Sequence, residues 1–381
     1  MPAKIRVGVI SRYFPNYREA VFRRLAKQED MEFHFISGLT PDGSLIREAQ
    51  PKGFIREYIK VRNIPVPSRR NIISWRSGTV SSILAKKYDV FVLTNDILGP
   101  DIWLSCFLSR LLRIPVCIWG QGMSRPPTAL RNTLRWVLTS LATASIYYSD
   151  GGKEYWANRR IPRDKLFVAY NALNTDLQMS IRESLSNQAI GEFLSEKGLV
   201  GKKSVVYLGR LISEKRPDIF IQAVARAVKS DPSILGLIIG DGPLRDTLKN
   251  QADDLGISGS IRLIGENYDE TILAKYLTCS VAVVLPAAAG LAIQHAGVYG
   301  APLILGDIPN NHLPEQEIVE EGTTGLWCRE GDVDAFSSAM LRLASSEECR
   351  REMSANVQRR IDERFNVEMM AQVFIQAVYF C

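Results

Sequence analysis

Two cations are the residues best placed for chemistry. In the run LGRLISEKRPD, which begins at Leu208, a strand pattern delivers Gly209 and Arg210 into a loop, and Lys215 stands five positions on, ahead of a helical pattern. Two cations at the open end of a strand, beside a helix start, suit a diphosphate. Their charge would stabilise a nucleotide diphosphate leaving a sugar, the main electrostatic demand of such a transfer. The same spacing also describes a solvated Arg and Lys near a turn. Three further strand ends carry polar side chains. The loop Ser11–Arg18 (SRYFPNYR) offers Arg12, Asn16, Tyr17 and Arg18, as a binding site or as an ordinary surface loop. Thr94–Asn95–Asp96 presents Asp96 either to an acceptor hydroxyl or as a turn residue. WGQG, Trp119 to Gly122, presents Gln121.

The elements that must position these residues read as two α/β series. The strand Ile5–Ile10 (IRVGVI), a helix on Val21, Phe22 and Leu25 and the strand Phe33–Ile36 form a βαβ unit, hence a parallel sheet. Strand patterns follow at Val90–Thr94, Val116–Trp119, Ser145–Tyr148 and Leu166–Tyr170, while Lys60–Arg70, with two prolines, reads as loop. A second series has strands at Ser204–Leu208, Gly236–Ile239, Ile261–Ile264, Val281–Leu285 and Pro302–Leu305. The expected architecture is therefore α/β, with two doubly wound Rossmann-like domains facing across a cleft. The expected domains are residues 1–175, 176–365 and a last helix over 366–381. In that helix Met370, Phe374 and Val378 make one apolar stripe, able to pack back toward the first domain.

Composition narrows the function classes. Hydrophobic residues make up 46% of the 381 and charged residues 23%, as in a soluble globular protein. No apolar run reaches the ~20 residues of a membrane-spanning helix, and the N-terminus lacks a secretory pattern. Six cysteines without a CxxC pair, and only three histidines, make a zinc cluster a poor expectation; reduced thiols in the cytoplasm are the plain one. Charge is asymmetric. Residues 1–180 hold 27 basic and 14 acidic residues, a net +13, whereas the remainder holds 20 and 27, a net −7. The first domain should therefore face an anionic partner. No nucleic-acid recognition motif is present, so nucleic acid is not expected and an anionic membrane surface is the better candidate. The segment Ala129–Ala142, with Leu130, Leu134, Val137, Leu138 and Leu141 on one face and Arg131 and Arg135 beside it, fits a core helix or a membrane-surface helix. Arg69, Arg70, Arg76, Lys86 and Lys87 add to the basic character.

Five ordered segments then resemble the nucleotide-binding domain of family 4 glycosyltransferases with the GT-B fold. They are VVYLGRLISEKRPDIFIQAV, LIIGDGPLRDTL, IRLIGENYDETILAKYL, VVLPAAAGLAIQHAGVYGAPLI and EIVEEGTTGLW, preceded by VAYNALNTD, which is similar to the family's interdomain segment and keeps Asn171. The resemblance implies that Arg210 and Lys215 hold the donor's phosphates, that Glu266 and Asn267 lie at the nucleobase, and that the stretch containing Ala287, Ala289, Gly290, Leu291, Gln294 and His295 holds sugar and ribose. Gly209 completes the donor set, Gln121 stands where a residue near the sugar is common, and Arg12, Asn16, Tyr17, Arg18, Asp96 and Asn171 fall to the acceptor or cleft. The chain departs from the family at the usual pair of glutamates eight positions apart, replaced by Ala287 and His295. The expected activity is metal-independent transfer of a hexose from a nucleotide diphosphate-sugar, a substrate rather than a cofactor, to a glycan or lipid-linked acceptor. The stereochemical expectation is retention. The expected place is the cytoplasm, peripherally at the inner membrane face, in polysaccharide or lipid-linked glycan assembly. A catalytically degenerate binding protein and a nucleotide-sugar epimerase are the alternatives.

Overall fold

A computed structural model describes residues 3–40, 47–65, 72–122, 128–308, 312 and 314–381. Arg69 and Arg70 lie outside the described residues. The chain divides into two units, Met1–Asn174 with Asn366–Cys381, and Thr175–Phe365.

The strands of the first unit are β1 (Ile5–Ser11), β2 (Met31–Ser37), β3 (Ile55–Tyr58), β4 (Val61–Pro65), β5 (Ile72–Arg76), β6 (Val90–Thr94), β7 (Val116–Gly120), β8 (Ala144–Tyr147) and β9 (Leu166–Val168). Among the described residues seven of them form one parallel sheet in the order β3-β2-β1-β6-β7-β8-β9. The central strands are nearly continuous apolar runs because helices cover both faces of the sheet. Alternation sends Val90 and Val92 to one core and Phe91 and Leu93 to the other. Helices α1 (Glu19–Leu25), α2 (Thr79–Leu84), α3 (Pro100–Leu112), α4 (Ala129–Leu141) and α5 (Asp150–Ala157) connect the strands.

The loop expected over Lys60–Arg70 is in part a strand. β4 pairs antiparallel with β5, Val61 opposite Arg76 and Pro65 opposite Ile72. Its residues are mostly exposed, so no burial pattern marks it in sequence; the ladder is fixed instead by Arg76, buried at the end of β5. α4 is also less of a core helix than its apolar face implies. Only Leu138 and Thr139 are buried, while Leu130 is 70% exposed.

The second unit holds β10 (Lys203–Leu208), β11 (Ile234–Ile239), β12 (Ile261–Gly265), β13 (Ala282–Leu285), β14 (Leu303–Gly306) and β15 (Gly325–Cys328) in a parallel sheet ordered β12-β11-β10-β13-β14-β15. Its helices are α6 (Thr175–Ser184), α7 (Asn187–Glu196), α8 (Pro217–Ser230), α9 (Arg245–Asp254), α10 (Glu270–Thr278), α11 (Ala292–Val298), α12 (Val333–Ser345) and α13 (Glu347–Arg364). The final helix, α14 (Val367–Phe380), belongs to the first unit. Asn366 caps it by accepting from the Met369 amide, and Met370, Phe374 and Val378 are buried in the first unit's core.

In both sheets the strand order reverses once, between β1 and β6 and between β10 and β13. Ligands of open parallel sheets bind at the carboxyl ends of such strand pairs. The loops after β1 and β6, and those after β10 and β13, are therefore where a ligand would sit.

Candidate functional site

In the second unit, the loop after β10 is shaped by the turn after β11. A Cβ on Gly240 would lie 2.0 Å from the Gly209 carbonyl oxygen, and one on Gly242 2.6 Å from that of Leu211. Only glycines let these backbones approach so closely. The Leu211 amide donates to Asp241 (2.9 Å) and the Leu244 amide to Leu211 (3.1 Å), which fixes the path of Gly209–Leu211. Arg210 is exposed, while Lys215 folds back so that its alkyl chain covers Gly209. The Lys215 Nζ donates to the carbonyls of Ala288 (2.6 Å) and Ala289 (3.3 Å). The loops after β10 and β13 are thus joined by one ammonium group. Burial pushes the Lys215 pKa down, with the like charge of Arg210 adding to it, to about 8.

The loop after β13 is wound tightly. Ala288 has φ +40° and Gly290 φ +60°, and Ala287 and Ala289 are buried. His312, fully buried, clamps it: Nδ1 accepts from the Ala289 amide (3.3 Å), and Nε2 lies 2.7 Å from the Gly306 carbonyl. A carbonyl only accepts, so the proton sits on Nε2 and the ring is held as one neutral tautomer. Nothing in the sequence pattern singled out His312.

Of the remaining donor-side residues, Gly265 (φ +86°) ends β12, exposed Glu266 accepts from the Tyr268 hydroxyl, and Asn267 accepts from the Asp269 amide. Leu291 caps α11. Gln294 lies inside the fold. It is completely buried, with its amide donating to the Phe365 carbonyl, because the α11 face that carries it packs inward; it anchors the helix. His295 is also committed. Its Nε2 donates to Glu270 Oε1 (2.8 Å), which accepts from Tyr299 (2.6 Å) and Gln178 (3.2 Å) as well. Burial pushes the Glu270 carboxyl up, but these donors prevail and hold it below its ordinary value; the Tyr299 phenol is raised, by burial first and then by Glu270. A carboxylate missing at position 295 is therefore present beside it at 270, on α10.

In the first unit, a cavity of about 290 Å³ lies at the carboxyl ends of β1, β6 and β7. Arg12, Tyr17, Arg18, Arg76, Asn95, Asp96, Trp119 and Tyr148 are among its lining residues. Arg18 is 4% exposed, packed over the rings of Tyr17, Trp119 and Tyr148 at 5.0 to 5.2 Å, with Nη1 3.3 Å from Met370 Sδ of α14. Arg12 donates to Ser74 (3.3 Å). Asp96 is tied down: it accepts from Arg76 Nη1 (3.0 Å) and from the Leu98 amide (3.1 Å), so it is a turn and ion-pair residue at the cavity edge. The Arg76 guanidinium, fully buried, spends its other nitrogens on Asp101 (2.7 and 2.9 Å). Asn95, which belongs to the strand-end triplet Thr94–Asn95–Asp96 but was not singled out within it, and Trp119 both carry buried polar atoms without a hydrogen-bond partner among the described residues. Each such group costs ~1–3 kcal/mol in a folded chain unless something satisfies it. Asn16 and Gln121 are exposed and do not line the cavity, and Asn171 is half-buried beside buried Tyr170 and Ala172.

Among the described residues no helix is long and apolar enough to cross a membrane. Residues 192–360 match the family described as glycosyl transferases group 1. An exopolysaccharide phosphotransferase of Streptomyces coelicolor is 30% identical over 42% of this chain and 17% of its own length. The alpha-D-kanosaminyltransferase of Streptomyces kanamyceticus is 23% identical over 68% of each. Among solved structures, Anabaena HepE in complex with UDP superposes with a TM-score of 0.74 at 16% identity, covering 99% of this chain and 100% of that one. The α/β fold of both units is thus that of GT-B proteins. The stretch that matches the glycosyl transferases group 1 family, residues 192–360, lies within the second unit.

Proposed function

We propose that this protein is a metal-independent glycosyltransferase. It moves a hexose from a nucleotide diphosphate donor, held by the second unit, to an acceptor hydroxyl held by the first. The observation that carries this reading is the Lys215 ammonium bridging to Ala288 and Ala289. It places a half-buried cation, with exposed Arg210 five residues before it, against the tight turn at Gly290. A diphosphate lying there would meet both cations. As the bond between the anomeric carbon and the β-phosphate oxygen breaks, the leaving group gains negative charge, and a fixed cation in a partly dry site stabilises it without reorganising. The acceptor oxygen forms the new bond on the same face, and its proton passes to the departing phosphate; the product retains the donor's configuration. His295, oriented by Glu270, faces the ribose in this scheme.

Support for the acceptor and the membrane comes from the first unit. Its basic charge is joined by an apolar stripe on α3, where Leu104, Phe107 and Leu111 are 41%, 59% and 69% exposed, next to exposed Arg110 and Arg113. Exposed apolar residues on one helix face among arginines suit the surface of an anionic bilayer. The proposed setting is the cytoplasmic membrane face, with a lipid-linked or glycan acceptor in polysaccharide assembly.

The test is calorimetry with UDP, GDP and their sugars, followed by product analysis. Binding followed by transfer supports the proposal. Lys215→Ala should lower turnover about 10²–10³-fold, the usual effect of removing one donor to a developing anion, and Arg210→Ala should also lower it. Normal rates in both variants would remove the leaving-group site. Buried Ala287, which has no polar group to offer a sugar, favours the second reading of a non-catalytic binding protein; tight nucleotide-sugar binding with no product would select it.

A further inference from the structure

We infer that the cavity of the first unit binds an acceptor bearing an anionic group, a phosphate or carboxylate seated against Arg18. This deepens the transferase proposal and rests on its assignment of the first unit to the acceptor.

The charges lining the cavity are unequal in their partners. Arg76 is neutralised by Asp101 and Asp96. Arg18, almost wholly out of water, meets three aromatic faces and a thioether but no carboxylate among the described residues. Among the described residues Arg12, its neighbour in the same loop, donates to a hydroxyl and meets no carboxylate. A buried guanidinium without a counter-charge is costly, and an anionic ligand is the group that relieves it. Ring faces stabilise the cation but leave its N–H edge to be satisfied, and guanidinium matches carboxylate and phosphate oxygens in pairs.

Two more groups point to the same ligand chemistry. Among the described residues the Asn95 amide, after β6, has both its nitrogen and oxygen buried and unpaired, and the Trp119 indole N–H, on β7, is likewise unpaired. Both residues line this cavity. An amide and an indole N–H beside a guanidinium make a set of donors for an oxyanion, and the Asn95 oxygen adds an acceptor for a hydroxyl. Tyr13 and Tyr17, half-buried at the edge, supply flat faces for a sugar ring. The volume lies near the lower end of ordinary small-molecule pockets, roughly 300 Å³ and up, so one charged sugar or polyol unit fits the space better than an oligosaccharide. The position, where the first sheet reverses strand order, is where such a sheet binds its ligand.

The experiment is isothermal titration calorimetry of the full chain with glucose 6-phosphate, glucuronate, neutral glucose and, separately, UDP. The anionic sugars should bind at least tenfold more tightly than glucose, and the tighter of the two identifies phosphate or carboxylate. Arg18→Gln should weaken the anionic sugar at least tenfold, the loss of one charge-assisted contact. Because Arg18 is buried, Trp119→Phe is the second variant: it keeps an aromatic ring but removes the indole N–H together with the smaller fused ring, and should weaken binding about fivefold. UDP should bind the wild type and both variants alike. Glucose binding as tightly as glucose 6-phosphate overturns the inference, as does unchanged anion affinity in folded Arg18→Gln and Trp119→Phe. UDP affinity falling in step with that of glucose 6-phosphate also overturns it, by handing the anion to the donor. Failure of UDP and GDP alike to bind the wild type, with glucose 6-phosphate still bound, would sink the transferase proposal and leave the anion site standing.

Discussion

Lys215 sets the pH behaviour at the scale of single residues. Its ammonium form carries the proposed chemistry, and its pKa is lowered to about 8 by burial and by Arg210. The group is therefore charged below that value and loses its proton as pH rises through it. A profile of kcat/KM, which reports the free enzyme, should show an alkaline limb near pH 8. Arg210→Ala removes one of the two effects that depress the pKa, so the limb should move to higher pH; an unmoved limb would mean that another group titrates. Ala288 offers a second test. At φ +40° an L-residue carries strain of ~1–2 kcal/mol, which glycine escapes at some entropic cost. Ala288→Gly should raise the urea midpoint while lowering turnover, because it frees the turn that receives the Lys215 ammonium. Arg210 and Lys215 were legible because a strand-loop-helix pattern fixes their surroundings locally. His312 was not, since its two partners, at Ala289 and Gly306, belong to loops that meet only in the folded sheet.

Single elements show how loops are held. The turn after β11 presses its glycines onto the loop after β10, and Gly240→Ala would drive a Cβ to 2.0 Å from the Gly209 carbonyl. Backbone cannot yield as a flexible side chain does. The expected result is a loss of at least ~2 kcal/mol in chemical denaturation together with weaker UDP binding, both larger than for Gly256→Ala, where nothing lies within 4 Å. α14 plays the corresponding part in the first unit: Phe374 packs edge-on against Trp119 at 4.9 Å, and Met370 faces Arg18. Phe374→Ala should cost about 3–5 kcal/mol, measured by urea unfolding. Its apolar stripe was legible from four-residue spacing. The strand β4 was not, because an exposed ladder leaves no hydrophobic period to read.

For the molecule as a whole, the first 180 residues carry +13 and the rest −7. Binding to vesicles containing anionic lipid should weaken as salt rises, since surface attraction is screened over about 8 Å at physiological ionic strength. Phe107→Glu and Leu111→Glu, on the exposed face of α3, should reduce that binding several-fold with no change in UDP affinity, as read by vesicle co-sedimentation and calorimetry. Binding to neutral vesicles as tight as to anionic ones would remove the electrostatic part of this picture.

By itself the sequence determined the two α/β series and the position of the cation pair after a strand, because each depends on neighbours a few positions away: a period of two or 3.6, a strand end. Tertiary structure alone decided what those residues face. It committed Gln294 to Phe365, turned His295 toward Glu270, tied Asp96 to Arg76, and brought Asn95, Trp119 and Arg18 around one cavity. These outcomes depend on groups tens to hundreds of positions apart, meeting where a sheet reverses its strand order, and no local spacing encodes such a meeting.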